Sequence, residues 1–281
     1  MKPVLVIAGL TLREALRRRL IAAFAAITVF LVALSAWGFD RLSHNGRVTS
    51  GEVNVAVPQS LILFMFMFSF VVALSAAAMA SPSVAAEVES GVLLTIATRP
   101  VRRSDVLIGK WLGLAGILFV YAAVVSGLEV GVVDWTSGIV PPDPVGAALY
   151  LFAEGAILLT VTLLLSTRLS AIATGVVAVA LFGAAWLAGV VGTLGSSFNI
   201  AALRTVGAVA RYVLPTDGLW HGTVYALEPR SFIVSRIGDA AAAGNPFLAA
   251  SAPSWPYLIF VVAWFLLVLG AALVSFERRE L

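Results

Sequence analysis

Two carboxylates lie inside otherwise apolar stretches, and they are the first candidates for chemistry in this chain. Glu129 lies five residues before Asp134, and Glu154 lies seven residues into another apolar run. A carboxylate among apolar side chains is costly, about 2.5–3.5 kcal/mol for Asp at mid-membrane, so it normally faces a partner or water. Two interpretations stay open. Each acid is bonded locally, or both line a substrate pathway and meet a proton or a cationic or polar group.

Other reactive residue types are scattered. A zinc site usually needs three or four ligands, whereas His44 and His221 are isolated and the chain has no Cys. Met65 and Met67 are two residues apart, so they do not share a helix face and predict packing rather than a copper relay. No nucleophile stands in a pattern with a base. We therefore expect no metal, no cofactor and no enzyme activity in this chain.

A nucleotide-binding loop is also missing from the sequence. That loop requires Gly, four residues, then Gly-Lys-Ser/Thr, because backbone amides cradle the phosphates and the hydroxyl meets magnesium. Gly109-Lys110 is followed by Trp111, and Ser104 stands where the first Gly should be. This motif therefore does not bind ATP and magnesium here.

The elements that must position these residues are membrane helices. The chain is 60% hydrophobic and 12% charged, against roughly a quarter charged in soluble domains. A membrane-spanning helix needs about 20 apolar residues. We expect an all-α integral membrane protein in which residues 1–281 form a single polytopic domain. Six spans are predicted, at about 20–39, 58–80, 107–133, 147–166, 170–191 and 257–276.

The basic residues predict the orientation. With a cytoplasmic N-terminus, twelve of the eighteen Lys and Arg residues fall in cytoplasmic segments, as the positive-inside rule expects. Six spans then also place the C-terminus in the cytoplasm. Residues 81–106 become a cytoplasmic loop, and residues 192–256 become a long outer loop.

Two segments outside the spans have helical patterns. Residues 1–19 place apolar side chains at helical spacing with arginines opposite, which predicts an amphipathic helix on the cytoplasmic surface. In the long outer loop, "IAALRTVGAVARYVL" places Arg204 and Arg211 seven residues apart. This spacing predicts an interfacial or re-entrant helix, which the turn signal "LPTDG" ends.

The loop between spans two and three is a charged island, "ESGVLLTIATRPVRRSDVLIGK". Pro100 disfavours the α conformation at Arg99, so we expect a short helix over about 84–98 followed by a basic turn. Its charges have two interpretations. The segment is a docking element for a partner, or its arginines only set the topology by meeting anionic lipid.

The island resembles the signature of membrane subunits of type-2 ATP-binding-cassette exporters. That signature has an acid, three residues, Gly, a small polar residue and Leu, then Arg-Pro-Val and Gly-Lys. The matching positions are Glu87, Gly91, Val92, Leu93, Arg99, Pro100, Val101, Gly109 and Lys110. Val92 departs from the usual Thr or Ser. The resemblance extends over nearly the whole chain, to the "FERREL" tail, and "LPTDGLW" looks most like permeases that serve nitrous-oxide reductase maturation.

This resemblance implies a permease subunit whose island is a coupling helix that fits a separate ATPase. The partner would hold ATP and magnesium, and two ATPase copies would work with two permeases, the second being another copy or a paralogue. The implied location is the prokaryotic cytoplasmic (inner) membrane, and the implied direction is export. The implied coupling residues are Glu87, Glu89, Ser90, Gly91, Leu93, Arg99, Pro100, Arg102 and Arg103.

Alternative functions remain at this stage. One is a mechanical transducer, in which the same ATPase drives a conformational change in an outer-side accessory protein and no solute crosses. Another is an intramembrane enzyme, which Glu129 and Glu154 alone do not support. No nucleic-acid partner is expected. The substrate cannot be read from the sequence.

Overall fold

The structure is a computed structural model that describes residues 2–17, 19–44, 50–89, 102–229, 245–249 and 251–279. Over these residues it is helical and has no strand. The helices, in chain order, are α1 Lys2–Leu16, α2 Arg19–His44, α3 Ser50–Glu89, α4 Arg103–Ser137, α5 Pro144–Ser166, α6 Ala171–Ser197, α7 Ala201–Val213, α8 Thr216–Leu227 and α9 Trp255–Glu277.

Six of these helices, α2 to α6 and α9, are long and apolar enough to cross a membrane. The prediction of an all-α integral membrane protein with six spans is therefore confirmed. The short α1 also forms a helix before the first span. Most helices extend a few residues beyond the predicted spans, because sequence hydropathy marks the apolar centre of a helix and not its polar ends.

The second span differs most from its expected length. We expected it to end near residue 80, yet α3 continues through Pro82 to Glu89. A proline removes one backbone hydrogen bond and normally kinks or ends a helix. In this chain the Ser83 hydroxyl donates to the Ala80 carbonyl at 2.6 Å, and the Lys110 ammonium donates to the Ser83 carbonyl. These two bonds hold the helix beyond the proline.

The predicted coupling segment lies largely outside the described residues. Glu87 and Glu89 belong to the last turn of α3, and nothing is described of their side chains. The island residues Ser90, Gly91, Leu93, Arg99 and Pro100 are outside the description altogether. Arg102 and Arg103 are described, at the start of α4.

The N-terminal helix packs on α4 through two glycines. A Cβ at Gly109 would lie 2.8 Å from the Ile7 Cβ, and one at Gly113 would lie 2.7 Å from the Ala8 carbonyl. The apolar residues of α1 therefore divide over two faces. Ala8 and its neighbours meet α4, whereas Leu5 and Leu16 stay exposed. Lipid contact for that second face agrees with a helix lodged at the edge of a membrane bundle.

Helix α5 lies at the centre of the bundle. Every residue from 154 to 163 is buried, as expected for a helix that is hydrophobic all round. It packs against α3, α4, α8 and α9. At one end of the bundle, here called the terminal end, the start of α4 meets the ends of α5 and α9. At the opposite end, the hairpin end, the start of α5 meets the end of α8, where the Asp143 amide donates to the Ala226 carbonyl at 3.0 Å.

Helices α7 and α8 fold back into the bundle as a helical hairpin, residues 201–227. Asn199, with φ of 54°, turns the chain between α6 and α7, in the left-handed region that Asn tolerates. Helix α7 then runs back along α6, where a Cβ at Gly192 would lie 2.8 Å from the Gly207 Cα. Helix α8 returns along α5, with Gly222 against the Tyr150 ring. The helix predicted from residues 200–214 is present as α7, which packs along α6 at Gly207 and leaves most of its other side chains exposed.

Candidate functional site

Glu154 is buried in the middle of the protein, with 3% of its surface exposed. Helix α5 presents it to α3, where the Ser69 hydroxyl donates a hydrogen bond to its Oε1 at 2.9 Å. Among the described residues its Oε2 has no hydrogen-bond partner. A buried carboxylate normally satisfies more than one of its lone pairs, so this acid is under-bonded.

Glu129 repeats this geometry on another pair of helices. It is fully buried in α4, and the Ser35 hydroxyl of α2 donates to its Oε1 at 2.9 Å. Its Oε2 also lacks a partner within the described chain. The structure thus buries both predicted acids, but it directs them to different neighbours, α2 for Glu129 and α3 for Glu154. We found neither serine from the sequence, since hydroxyls are common in these helices and carry no spacing signal.

The glycines beside Glu129 have no close neighbour in the described chain. Nothing lies within 4 Å of a Cβ built at Gly127 or at Gly131. Two glycines four residues apart can admit a neighbouring helix. In the described chain Gly109 and Gly113 do so, because both contact α1.

The tip of the hairpin holds an ionic cluster that the sequence did not reveal. Arg211 Nε donates to Asp217 Oδ2 at 2.8 Å, and the Asp217 side chain is 3% exposed whereas that of Arg211 is 38% exposed. The His221 ring bonds to the Asp217 backbone carbonyl at 2.9 Å, and Tyr257 donates to the Pro215 carbonyl at 3.3 Å. The signal available was an acid in the first turn after a helix-breaking "LPTDG", where the helix dipole favours a negative charge.

His221 is held in this cluster as a neutral ring. Burial lowers its pKa, and this effect outweighs the opposing influence of the Asp217 carboxylate. His44, the other histidine, lies in α2 and contacts Asp40 one turn earlier. The described residues contain no group of three potential metal ligands.

At the terminal end, arginine side chains bond to the carbonyl ends of helices. Arg103 Nη1 donates to the Glu277 carbonyl at 3.3 Å and to the Arg279 carbonyl at 2.7 Å. Arg279 Nη1 donates in turn to the Ser166 and Thr167 carbonyls at 3.3 and 2.6 Å. Cations are favourable at helix C-termini, where carbonyls lack intrahelical partners. These bonds join the start of α4 to the ends of α9 and α5.

The two described coupling candidates therefore differ. Arg102 is exposed, whereas Arg103 is partly buried and bonded within the chain. Lys110, from the same signature, is 6% exposed and ties α4 to α3 at Ser83. Sequence reasoning treated Arg102 and Arg103 as equivalent, because a run of arginines does not show which one turns inward.

Comparison with protein families adds the decisive observation. Residues 5–281 match the family described as ABC-2 family transporter protein. The chain belongs to this family. A comparison with curated proteins gives no match.

Family membership makes this protein an ABC-2 permease, a multi-pass membrane component of an ABC transporter. The match runs from α1 to the C-terminus, so the N-terminal helix and the terminal-end arginines belong to the family domain. An ABC-2 permease is a transport component and not the catalyst, and its family implies an ABC ATPase as partner.

Proposed function

We propose that this ABC-2 permease exports a substrate and that a separate ATPase subunit powers it. The observation that carries the proposal is the family match over residues 5–281. The missing nucleotide-binding loop supports it, because a chain without that loop needs ATP hydrolysis from elsewhere. On this proposal ATP and magnesium bind to the partner, and this chain needs no cofactor of its own.

The terminal end would then face the cytoplasm of a prokaryotic cell, with the protein in the inner membrane. The excess of Lys and Arg at that end supports this orientation. The hairpin end would face outward. The complex would contain two ATPases and two permeases, as the family resemblance implies.

The coupling contact would lie at the island between α3 and α4. Its predicted residues are Glu87, Glu89, Ser90, Gly91, Leu93, Arg99, Pro100, Arg102 and Arg103. Both described flanks of the island are anchored, since Lys110 bonds to the end of α3 and Arg103 to the end of α9. An anchored base of this kind would transmit a displacement of the island to α5 and α9.

Glu129 and Glu154 would line the substrate pathway, as predicted from the sequence. Both are buried and under-bonded, and intramembrane acids commonly mark substrate or ion paths. On this proposal they would meet a proton or a cationic or polar substrate group when the helices separate. Glu129→Gln and Glu154→Gln should then keep assembly and change substrate-stimulated ATP hydrolysis.

The experiment for the coupling proposal is co-purification. The chain would be co-expressed with a candidate ABC ATPase subunit from the same organism, as wild type and as the combined Arg99→Ala, Arg102→Ala and Arg103→Ala variant. We expect the variant to bring down much less ATPase, because truncating one partner of a buried charged pair costs about 2–5 kcal/mol. A variant that keeps the full complex and full coupled turnover would show that the island is only a topology signal.

The alternative function is a mechanical transducer that acts on an outer-side accessory protein. The hairpin supports this alternative function, because it is a structured element whose base lies at the hairpin end and offers a binding surface there. The likeness of "LPTDGLW" to nitrous-oxide-reductase maturation permeases is a further proposal about the partner class. Reconstitution in liposomes separates the two functions. A transporter moves solute in proportion to ATP hydrolysed, whereas a transducer hydrolyses ATP without solute movement.

A further inference from the structure

The helical hairpin carries charged side chains to the depth of Glu154. Trp220, one turn after Asp217 in α8, packs on Phe66 of α3 with ring centroids 5.4 Å apart, and Ser69, one turn after Phe66, is the donor to Glu154. The residues of the tip are buried, with Thr216 1% and Trp220 1% exposed. Asp217 and Glu154 therefore share one enclosed region, although 63 residues separate them in the sequence.

The charges of the tip balance without Glu154. Arg211 and Asp217 form an ion pair at 2.8 Å, and their charges cancel. His221 is neutral at neutral pH because burial lowers its pKa. Glu154 is the remaining acid, and its one hydrogen bond comes from the neutral Ser69 hydroxyl. No cation among the described residues bonds to it.

An ionised Glu154 would be expensive in this closed arrangement. Burying a carboxylate without a paired cation is among the costliest changes in a protein interior. The like charge of Asp217, on the adjoining helix α8, would repel it, and Oε2 would receive no hydrogen bond within the described chain. A proton on Glu154 removes both the uncompensated charge and the repulsion.

We propose that Glu154 is a proton-binding site, which carries a proton while the hairpin is packed against it and loosens the hairpin when it ionises. The ligand is the proton, and the moving element is the tip that holds Asp217. Glu129 provides the internal comparison. It has the same single serine bond, but its serine lies on α2, away from the hairpin.

Several titratable or charged groups surround this region. They are Asp217 and His221 of α8, Arg211 of α7, Tyr257 of α9 and Tyr150 of α5 itself. Helix α3 presents Ser69, and α6 contains no titratable residue. Helix α4, which also packs on α5, carries Tyr121, bonded to Thr28 of α2, and Glu129, bonded to Ser35 of α2. His221 would act in the opposite direction, because its protonation at acid pH disturbs the closed cluster. The test therefore uses neutral to alkaline pH, where His221 stays neutral.

The test measures the position of the hairpin directly. The natural chain has no Cys, so Val209→Cys on α7 and Val145→Cys on α5 provide two exposed sites for spin labels. The full-length chain would be placed in lipid nanodiscs, and the distance between the labels measured by electron paramagnetic resonance. Samples would span about pH 7 to pH 9.5, a range that lies below the ordinary Tyr pKa of about 10.

We expect the labelled wild-type background to gain a second distance population as the pH rises. Glu154→Gln should keep the neutral-pH distance at every pH, whereas Glu129→Gln should respond like wild type. Ser69→Ala gives a second variant if Glu154→Gln does not fold. Ser69→Ala removes the hydrogen-bond donor that stabilises the ionised Glu154 carboxylate. Ionisation then becomes less favourable, so the second population should appear at a higher pH.

Three results would overturn the proposal. They are a wild-type distance independent of pH, a Glu154→Gln response equal to wild type, and loss of the response in Glu129→Gln. The inference concerns the same Glu154 as the proposed substrate pathway, but the measurement needs no ATPase and no substrate. Failure of the transport proposal would leave this result unchanged.

Discussion

The terminal end and the middle of the bundle use charge in opposite ways. At the terminal end, Arg103 and Arg279 place cations on helix carbonyls that would otherwise lack partners. In the middle, where the hairpin tip reaches, Asp217 and Glu154 are buried acids, and among the described residues only Asp217 has a cation. Charge at the terminal end satisfies carbonyl groups that lack intrahelical partners. Charge in the middle is a cost that packing must offset, so the middle is the region expected to respond to a stimulus.

The largest expected effect tests whether packing alone holds the hairpin. Gly192→Leu should unfold or displace the hairpin, because the new Cβ would lie 2.8 Å from the Gly207 Cα, which is backbone. Overpacking costs about 1–3 kcal/mol or more, and a contact with backbone belongs to the upper part of that range. The measurement is the monodisperse fraction and the Tm of the purified chain.

Gly183→Leu is the matched control for that change. It lies on the same helix, α6, and no described residue outside that helix lies within 4 Å of its Cβ position. Equal losses for Gly183→Leu and Gly192→Leu would contradict the close contact between α6 and α7.

The next effect concerns the terminal end. Arg279→Ala should lower stability by about 1 kcal/mol, because a charged donor to two carbonyls is lost at a partly exposed site. Arg278→Ala removes the same charge one residue earlier, where the side chain is exposed, and should leave the Tm nearly unchanged. Thermal unfolding in detergent measures both variants. Equal Tm values would contradict the role of Arg279 in stabilising the contact between the ends of α9 and α5.

A smaller effect separates the two arginines at the start of α4. Arg103→Ala should lower the Tm by the equivalent of about 0.5–1 kcal/mol, since it loses its bonds to the end of α9. Arg102→Ala should leave the Tm unchanged and instead reduce co-purification of the ATPase, because Arg102 is exposed and free to meet a partner surface. The opposite assignment, with Arg102 affecting stability and Arg103 affecting the complex, would reverse our view of this end.

The smallest effect is the change in stability at acid pH caused by His221 near the hairpin tip. Burial lowers the pKa of His221 below its ordinary value, so the folded protein favours the neutral ring. Stability is then complete above about pH 6.5 and falls as the pH drops through the lowered pKa. A Tm series from neutral to acid pH measures this fall, and His221→Gln should flatten it. An unchanged slope in His221→Gln would mean that other groups cause the acid response.

Prediction from the sequence worked where the cause is local. The six spans follow from apolar length, and α7 follows from the helical spacing of its arginines. The sequence also marked Glu129 and Glu154 as unusual, because any charge inside an apolar run carries a cost. It failed at Pro82, where a side chain from another helix, Lys110, bonds to the Ser83 carbonyl and keeps α3 helical to Glu89.

The sequence by itself determined that this chain is a bundle of membrane helices with two buried acids, since hydropathy is a sum over about twenty neighbouring residues. Only the tertiary structure decided which serine each acid meets, which arginine braces a helix end and how deep the hairpin reaches. Gly109 and Gly113 contact α1, whereas a Cβ at Gly127 or Gly131 would meet nothing within 4 Å among the described residues, although the two pairs have the same spacing. The physical reason is that these contacts depend on the separation and angle of whole helices, which residues far apart in the chain set together.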